Sequence, residues 1–329
     1  MAWTIGQFTG TSVLAKGSFL RHNIQMHNKI SELLKQTSGI LLDKEDAVKM
    51  STVCLLAGGH LLIEDVPGVG KTTLVKTLGK LLGLKTNRIQ FTIDLLPGDI
   101  LGTHIYDPRD FEFHFHQGPL FAEFILADEL NRASPRTQSA LLQAMEEGQV
   151  SLDGKTFNLP RPFFVIATQN PHQNLGTFPL PENQLDRFML SLELNYASKN
   201  SEIEIFKNQS SGDRVGQLKA LFSGAELVEI QHMVERIHVS DNVAEYVSSL
   251  LGNSRKSDFP GLPASTRAGI ALVRAAKAWA FLDKREFLIP EDIKSVLVAV
   301  LGHRLGGTHG LRQGREWART LEKQTAVPR

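Results

Sequence analysis

The sequence lacks several features that place a protein in a specialised class. It has a single cysteine, Cys54, so no intramolecular disulfide can form, and the apolar run around it predicts a buried thiol without a redox role. No apolar stretch approaches the roughly 18 to 20 residues of a membrane-spanning helix, and the amino-terminal segment has no apolar core of secretory length. We therefore expect a soluble, cytoplasmic protein without membrane insertion.

Neither sign of charge is in excess, and internal repeats and low-complexity segments are absent. The 329 residues include 36 Lys and Arg against 35 Asp and Glu, a formal net charge of +1. This balance gives no overall electrostatic attraction to nucleic acid or to an anionic membrane. The 42% of hydrophobic residues is typical of a soluble globular chain with one large or two moderate domains.

The first part of the chain has the pattern of an α/β domain. Residues 1–23 are expected to form an amino-terminal arm, and the next residues, to about 57, have the spacing of two helices. Short continuous apolar runs, typical of parallel strands with both faces buried, then recur at residues 61–63, 89–91, 124–127, 163–167 and 189–192. We predict a parallel five-stranded sheet flanked by helices over residues 24–195.

The strand pattern ends near residue 195. Helical patterns replace it at residues 224–237, 241–251, 265–281 and 290–301. Breaks rich in Gly, Ser or Pro are expected at residues 210–216 and 252–263. The sequence therefore predicts an all-helical second domain over residues 196–329.

The segment Leu62–Thr73 carries the strongest chemical signal. It has the pattern of a strand end, a loop with two glycines and the start of an amphipathic helix. Glycines let backbone N–H groups converge on phosphate oxygens, and the helix amino terminus adds positive potential. The lysine of such a loop reaches the β- and γ-phosphates, and the next hydroxyl holds Mg²⁺. The sequence predicts an ATP site formed by Pro67, Gly68, Val69, Gly70, Lys71, Thr72 and Thr73, with Thr72 as a ligand of Mg²⁺.

One position departs from the pattern G-x-x-x-x-G-K-[ST]. Asp65 stands in the place of the first glycine. A carboxylate beside phosphates is electrostatically unfavourable, so we expect the Asp65 side chain to point away from them.

Two further predicted strands end in polar residues. The run 124–127 is followed by Asp128 and Glu129, 57 positions after Lys71 (128 minus 71). Two acids at this edge of a sheet suit metal binding and base chemistry, so we expect Asp128 to act through the Mg²⁺ shell and Glu129 to polarise the attacking water. Another strand ends near Asn170, whose amide can position water without adding charge.

Two arginines are candidates for stabilising charge in the transition state. Arg187 precedes the last predicted strand, and Arg267 lies at the start of a predicted helix. A guanidinium with five donors suits a γ-phosphate that develops charge. Taken alone, each arginine is more typical of a surface or salt-bridged side chain.

In their order and spacing, these motifs resemble those of AAA+ ATPases. Three segments resemble the MoxR family in particular: Glu129–Gln138, Ala167–Pro171 and Leu180–Phe188. The resemblance covers approximately residues 24–305.

The resemblance implies roles that the residues alone do not establish. It makes Asn170 sensor 1, Arg187 an arginine finger that acts on a neighbouring subunit, and Arg267 sensor 2 in a helical lid. It also implies a ring, hexameric in this family, that works as an ATP-driven chaperone on protein clients. The usual partners of the family contain a von Willebrand factor A domain.

Two insertions, residues 98–117 and 148–162, fit the same resemblance. The first contains an alternating strand with phenylalanines on one face, and the second has a hairpin pattern around an Asp-Gly turn. In ring ATPases such hairpins line the pore, so both are candidate contacts for a client or partner. His114 and His116 are expected to lie on a solvated polar face and not to bind a metal, because no acid or cysteine supports them.

Other function classes remain as alternatives. A nucleic-acid translocase shares the hairpin arrangement, but it would favour basic hairpins, and the two insertions hold Arg109, Lys155 and Arg161 against Asp99, Asp107, Asp110, Glu112 and Asp153. The motor subunit of a metal chelatase has similar motifs. A scaffold that binds ATP and scarcely hydrolyses it is disfavoured by the presence of Glu129 and Asn170.

Overall fold

Five strands of the first domain overlap the five predicted apolar runs, and the other four lie in the two insertions. The protein is described here from a computed structural model, which describes residues 11–66, 68–170, 176–207 and 211–328. In chain order the strands are β1 (Leu61–Glu64), β2 (Thr86–Gln90), β3 (Gly102–Asp107), β4 (Glu112–Gln117), β5 (Phe124–Asp128), β6 (Gln149–Leu152), β7 (Lys155–Asn158), β8 (Phe164–Gln169) and β9 (Leu190–Leu192).

One sheet forms the centre of this domain. Its five strands are all parallel and lie in the order β2-β5-β8-β1-β9, which confirms the predicted five-stranded parallel sheet. Successive residues of a strand pack on opposite faces: Leu61 and Ile63 belong to one buried cluster and Leu62 to another. Both faces are therefore covered.

Helices cover the sheet and form the second domain. They are α1 (Thr11–Ile40), α2 (Glu45–Leu56), α3 (Lys71–Leu81), α4 (Pro97–Leu101), α5 (Pro135–Glu147), α6 (Glu182–Leu185), α7 (Lys199–Lys207), α8 (Ser211–Gln217), α9 (Gly224–Glu235), α10 (Asp241–Ser254), α11 (Thr266–Leu282), α12 (Pro290–Gly306) and α13 (Leu311–Gln324). None of the helices in the described part of the chain is long and apolar enough to cross a membrane.

Two sequence predictions need correction. Helix α1 begins at Thr11, so residues 11–23 are helical where an arm was expected, and the earlier residues 1–10 lie outside the described part. The break expected at residues 210–216 is occupied from Ser211 by α8. Helix α13 has no counterpart among the predicted helices.

The two insertions are hairpins that pack against each other. Strands β3 and β4 pair antiparallel, as do β6 and β7, where Val150 lies opposite Phe157. The Phe115 ring of the first hairpin stacks on Phe157 of the second, with their centroids 4.0 Å apart. The His104 Nδ1 atom lies 2.8 Å from Asp153 Oδ2, at the turn of the second hairpin. The hairpins therefore form one surface.

The helical domain is fixed to the edge strand β9 through α12. The His303 ring lies between the Ser191 hydroxyl and the Phe188 carbonyl, 3.0 Å from each. Arg304 is buried and donates from Nε to Asp186 Oδ1 at 2.6 Å. These contacts hold residues 186–191, and with them Arg187, against the helical domain.

Candidate active site

The loop between β1 and α3 has the backbone that a phosphate site requires. Gly68 and Gly70 have φ angles of +86° and +102°, in the left-handed region that favours glycine. Lys71 begins α3, and its Nζ atom donates to the carbonyl oxygens of Asp65 (2.9 Å) and Val66 (3.2 Å). The ammonium therefore lies over the loop. Pro67, also predicted to bind the cofactor, lies outside the described residues.

Asp65 points away from this loop, as expected. Its side chain is buried, and its Oδ2 atom accepts hydrogen bonds from the backbone N–H groups of Leu194 (2.6 Å) and Asn195 (2.8 Å). Its Oδ1 atom accepts from the Val66 N–H at 2.8 Å. Hydrogen bonds from three N–H groups compensate the buried carboxylate. They also tie the phosphate loop to the chain that leaves β9.

Asp128 and Glu129 lie at the same edge of the sheet, where β5 ends. Arg88 on β2 donates to Asp128 Oδ2 from Nε (3.2 Å) and Nη2 (2.7 Å). Glu129 has φ +57° and ψ +47°, an uncommon conformation for a residue with a side chain. Its carboxylate lies 3.2 Å from Arg132 Nε. The sharp turn directs the chain away from the sheet immediately after the two acids.

The acids at the end of β5 lie close to Lys71 at the start of α3. Burial lowers the pKa of Lys71, while Asp65, Asp128 and Glu129 lie close enough to oppose that shift. Asn170 follows β8 and is buried, and its backbone oxygen accepts from Asn131 Nδ2 at 3.3 Å. The structure thus brings Lys71, Asp128 and Glu129 together, with Asn170 at the end of the strand beside β5.

The oxygen donors here suit Mg²⁺. Thr72 supplies a hydroxyl at the first turn of α3, and Asp128 supplies a carboxylate at the end of β5. Mg²⁺ prefers oxygen ligands. In nucleotide sites it typically binds only one or two protein groups, and phosphates and water complete its coordination. These residues fit the ion that the sequence implies.

A pocket beside the phosphate loop was not predicted from the sequence. It has a volume of about 270 Å³ and lies between the loop after α1, the phosphate loop and α7. Its walls include Leu41, Leu42, Val69, Thr73, Tyr196, Ile205 and Phe206. An apolar cleft next to a phosphate site suits a flat nucleotide base. The apolar residues Tyr196, Ile205 and Phe206 after the last core strand were the signal available in the sequence. The structure leaves Tyr196 and Phe206 71% and 67% exposed.

Arg187 and Arg267 contact the same residue, Glu146, and they lie away from Lys71. Both pair with one carboxylate: Arg187 Nε lies 3.2 Å from Glu146 Oε2, and Arg267 Nη2 donates to Glu146 Oε1. Arg267 is placed by its helix cap, because the Ser265 hydroxyl caps α11 and contacts Asp186 at 3.1 Å. Glu146 had no role in the sequence prediction.

This cluster is at the opposite edge of the sheet from the phosphate loop. Met145, beside Glu146, has its carbonyl 3.1 Å from the His60 ring, and Met189 donates its N–H to the His60 carbonyl at 2.8 Å. His60 directly precedes β1, whereas the phosphate loop follows β1. One strand length therefore separates the arginine cluster from Lys71 within a subunit.

The first hairpin gathers a group that sequence reasoning did not expect. Ligand atoms of Asp107, Asp110 and His114 lie within 4.8 Å of one another, so acids do support His114. The Asp110 carboxylate, 2.5 Å from His114 Nε2, raises the pKa of that histidine. Because the group is exposed and already hydrogen-bonded internally, we assign no metal to it.

Comparisons with known proteins agree with this geometry. Residues 60–190 match a family model described as the ATPase family associated with various cellular activities (AAA), and residues 255–324 match an AAA lid domain. The chain is 41% identical to the uncharacterized protein YeaC of Bacillus subtilis, over 85% of this chain and 88% of that protein. It is 40% identical to Chaperone MoxR1 of Mycobacterium tuberculosis, over 81% and 72%.

Solved structures show the same likeness. A crystal structure from Cytophaga hutchinsonii, provisionally assigned as an ATPase, superposes with a TM-score of 0.85 at 36% identity, covering 96% of this chain and all of that one. A full-length MCM homolog from Methanopyrus kandleri shares the fold alone, at 16% identity and a TM-score of 0.57, over 98% of this chain and 64% of that one.

Proposed function

Because the chain belongs to the MoxR family of AAA+ ATPases and hydrolyses ATP, we propose that it is a cytoplasmic chaperone that couples hydrolysis to remodelling of a protein partner. The supporting observation is the division of the candidate catalytic groups between two edges of one sheet. Lys71, Asp128 and Glu129 lie at one edge, and the two candidate arginines lie at the other.

In the proposed mechanism the nucleotide binds at the carboxyl edge of the sheet, which is the edge where the parallel strands end. The amino edge is the one where they begin. Lys71 leaves the loop carbonyls for the β- and γ-phosphates. Thr72 and Asp128 would hold Mg²⁺, which when bound would supply charge neutralisation at the phosphates. Glu129 polarises the attacking water, and the Asn170 amide orients it. Positioning and electrostatics supply nearly all of the rate acceleration.

The arginines complete the site of a neighbouring subunit. A guanidinium at the amino edge cannot reach the phosphates bound at the carboxyl edge of its own sheet, so Arg187 and Arg267 serve a site only across an interface. Head-to-tail contacts of this kind form a ring where the rotation between subunits closes. We infer a hexamer from the family resemblance.

The joined hairpins are the proposed contact for a protein. The first hairpin exposes Tyr106, Phe111 and Phe113, of which Phe111 is 77% and Phe113 67% exposed. Exposed aromatic side chains on a contiguous surface are typical of protein contacts. The excess of acids on the hairpins opposes binding to phosphate backbones. A partner with a von Willebrand factor A domain is proposed from the family resemblance.

The roles at the carboxyl edge are tested by two variants. Glu129→Gln should bind ATP with nearly normal affinity by calorimetry and lose most turnover, whereas Lys71→Ala should bind ATP poorly. Equal loss of binding in both variants would contradict the division of labour.

The partner class is tested with the same Glu129→Gln protein. Held with ATP, it should retain a protein partner that the Lys71→Ala protein releases. DNA or RNA should leave the wild-type ATPase rate within about twofold at physiological salt; stimulation that weakens steeply with added salt would instead indicate a translocase.

A further inference from the structure

Thr168 lies between the two acids of the proposed active site without reaching the surface. It is on β8, the strand beside β5, and its side chain is 1% exposed. Its hydroxyl donates to Asp128 Oδ1 at 2.6 Å and accepts from the Glu129 backbone N–H at 2.9 Å. One hydroxyl therefore contacts the carboxylate of Asp128 and the backbone of Glu129.

The two hydrogen bonds fix each other's direction. Because the hydroxyl proton is directed to Asp128, an oxygen lone pair of Thr168 is left for the Glu129 N–H. A valine has the same shape but makes neither bond. The geometry of the acids thus depends on this hydroxyl and not on the packing of the methyl group alone.

Glu129 needs such support because its backbone is strained. A left-handed conformation is unfavourable for a residue with a Cβ and persists only where the surroundings determine it. The described contacts that hold it are the Thr168 bond, the turn in which Arg132 N donates to Glu129 O at 2.9 Å, and the Arg132 ion pair. Of these, only the Thr168 bond connects Glu129 to the neighbouring strand β8.

We propose that Thr168 is a positioning residue. It holds Glu129 where that carboxylate polarises the attacking water, and it couples Glu129 to Asn170. Asn170 lies two residues further along the same chain segment, so a shift of the end of β8 on contact with the γ-phosphate is transmitted to Glu129 through the hydroxyl. This inference rests on the proposed role of Glu129. It assigns Thr168 no contact with nucleotide.

The test compares isosteric variants in the full chain. Thr168→Val should lower kcat on the order of 10²-fold, as expected when a catalytic group is misplaced by about 1 Å. Its affinity for ATP by calorimetry should fall far less than its kcat, because Lys71 and Thr72 are untouched and Asp128 keeps its two hydrogen bonds from Arg88. Thr168→Ser keeps the hydroxyl and should retain most of kcat.

A matched control is available on α3. Thr77 is fully buried, and its hydroxyl has no hydrogen-bond partner in the described structure. Thr77→Val removes a buried hydroxyl without removing a hydrogen bond, so its kcat and ATP affinity should equal those of wild type. If Thr168→Val does not fold, Thr168→Cys replaces it, because the thiol is a small side chain that makes much weaker hydrogen bonds than the serine hydroxyl.

The outcomes separate the two hypotheses. A Glu129→Gln protein with wild-type turnover would remove the proposed role of Glu129. A dead Glu129→Gln protein together with wild-type kcat in Thr168→Val, or in Thr168→Cys, would overturn the inference alone. Loss of kcat in Thr168→Ser as large as in the Val or Cys variant would also overturn it, because the hydroxyl would then not be the group that matters.

Discussion

Mixing two inactive variants tests whether Arg187 acts across a subunit interface. Leu61 of β1 pairs with Leu190 of β9, so Arg187 precedes the sheet on one side while Lys71 follows it on the other. The length of β1 alone places roughly 10 Å between the two edges. Arg187→Ala should therefore leave ATP binding by its own subunit intact and damage only the neighbour's site.

The expected magnitudes follow from the geometry. The Arg187 and Glu146 side chains are 28% and 38% exposed, so losing their ion pair should cost less than about 1 kcal/mol of folding stability. Glu146 keeps Arg267 as a partner. An arginine that meets a γ-phosphate is worth on the order of 10³ to 10⁵ in rate, so Arg187→Ala should be nearly inactive although folded.

Recovery in the mixture has a characteristic dependence on composition. A productive interface joins an intact Lys71 loop, from the Arg187→Ala subunit, to an intact Arg187, from the Lys71→Ala subunit. Under random mixing its frequency is the product of the two fractions and reaches about one quarter at equal amounts. The ATPase rate should thus rise to about a quarter of wild type and fall on dilution below the assembly concentration.

The control carries both substitutions in one chain. That double variant, mixed with either single variant, cannot form a productive interface and should stay inactive. Subunit exchange is measured independently by energy transfer between labelled subunits. If exchange occurs and the mixture of single variants remains inactive at every ratio, Arg187 does not act in trans and the ring mechanism loses its main support.

Two further predictions concern stability. Asp65→Asn leaves one acceptor oxygen for three N–H groups, so urea unfolding should show a loss of about 1.5 to 3 kcal/mol, whereas an unchanged midpoint would mean that these bonds are replaced by water. Burial lowers the pKa of His60 from 6.5 to about 4. As the pH falls, the unfolded chain therefore binds the proton before the folded chain does. The free energy of unfolding should have its full value above pH 6.5 and fall by about 1.4 kcal/mol per pH unit down to pH 4. His60→Gln should remove that part of the slope, and an identical pH profile in the two proteins would contradict the assignment.

The strands and the phosphate loop could be predicted because their causes are local. A buried parallel strand needs a continuous apolar run. The run 124–127 lies in β5, Asp128 ends that strand, and Glu129 follows it. The loop needs glycine where φ is positive, which Gly68 and Gly70 supply. Even the direction of the Asp65 side chain, away from the phosphate loop, could be predicted from the repulsion between like charges.

What escaped prediction depends on contacts between distant parts of the chain. Glu146 gains Arg267 as a partner only because the helical domain docks on β9 and brings that arginine to it, 121 positions along the chain. The pocket beside the phosphate loop joins residues from α1 to α7. Helix α13 packs on α12 so closely that a Cβ on Gly314 would meet the Gly302 carbonyl at 1.9 Å, a steric condition that no periodicity in the sequence expresses.

The charges at the two edges of the sheet imply that assembly depends on nucleotide. At the amino edge two guanidiniums face one carboxylate, Glu146, which leaves an excess of positive charge. At the carboxyl edge the charges of Asp65, Asp128 and Glu129 are balanced by those of Lys71, Arg88 and Arg132. Bound ATP adds the negative charge of its phosphates to this edge. Head-to-tail association should therefore tighten with ATP and weaken with added salt. Glu146→Gln increases the positive excess, so by sedimentation it should assemble at lower protein concentration with ATP. Equal assembly of both proteins, with and without ATP, would show that these charges do not face each other across the interface.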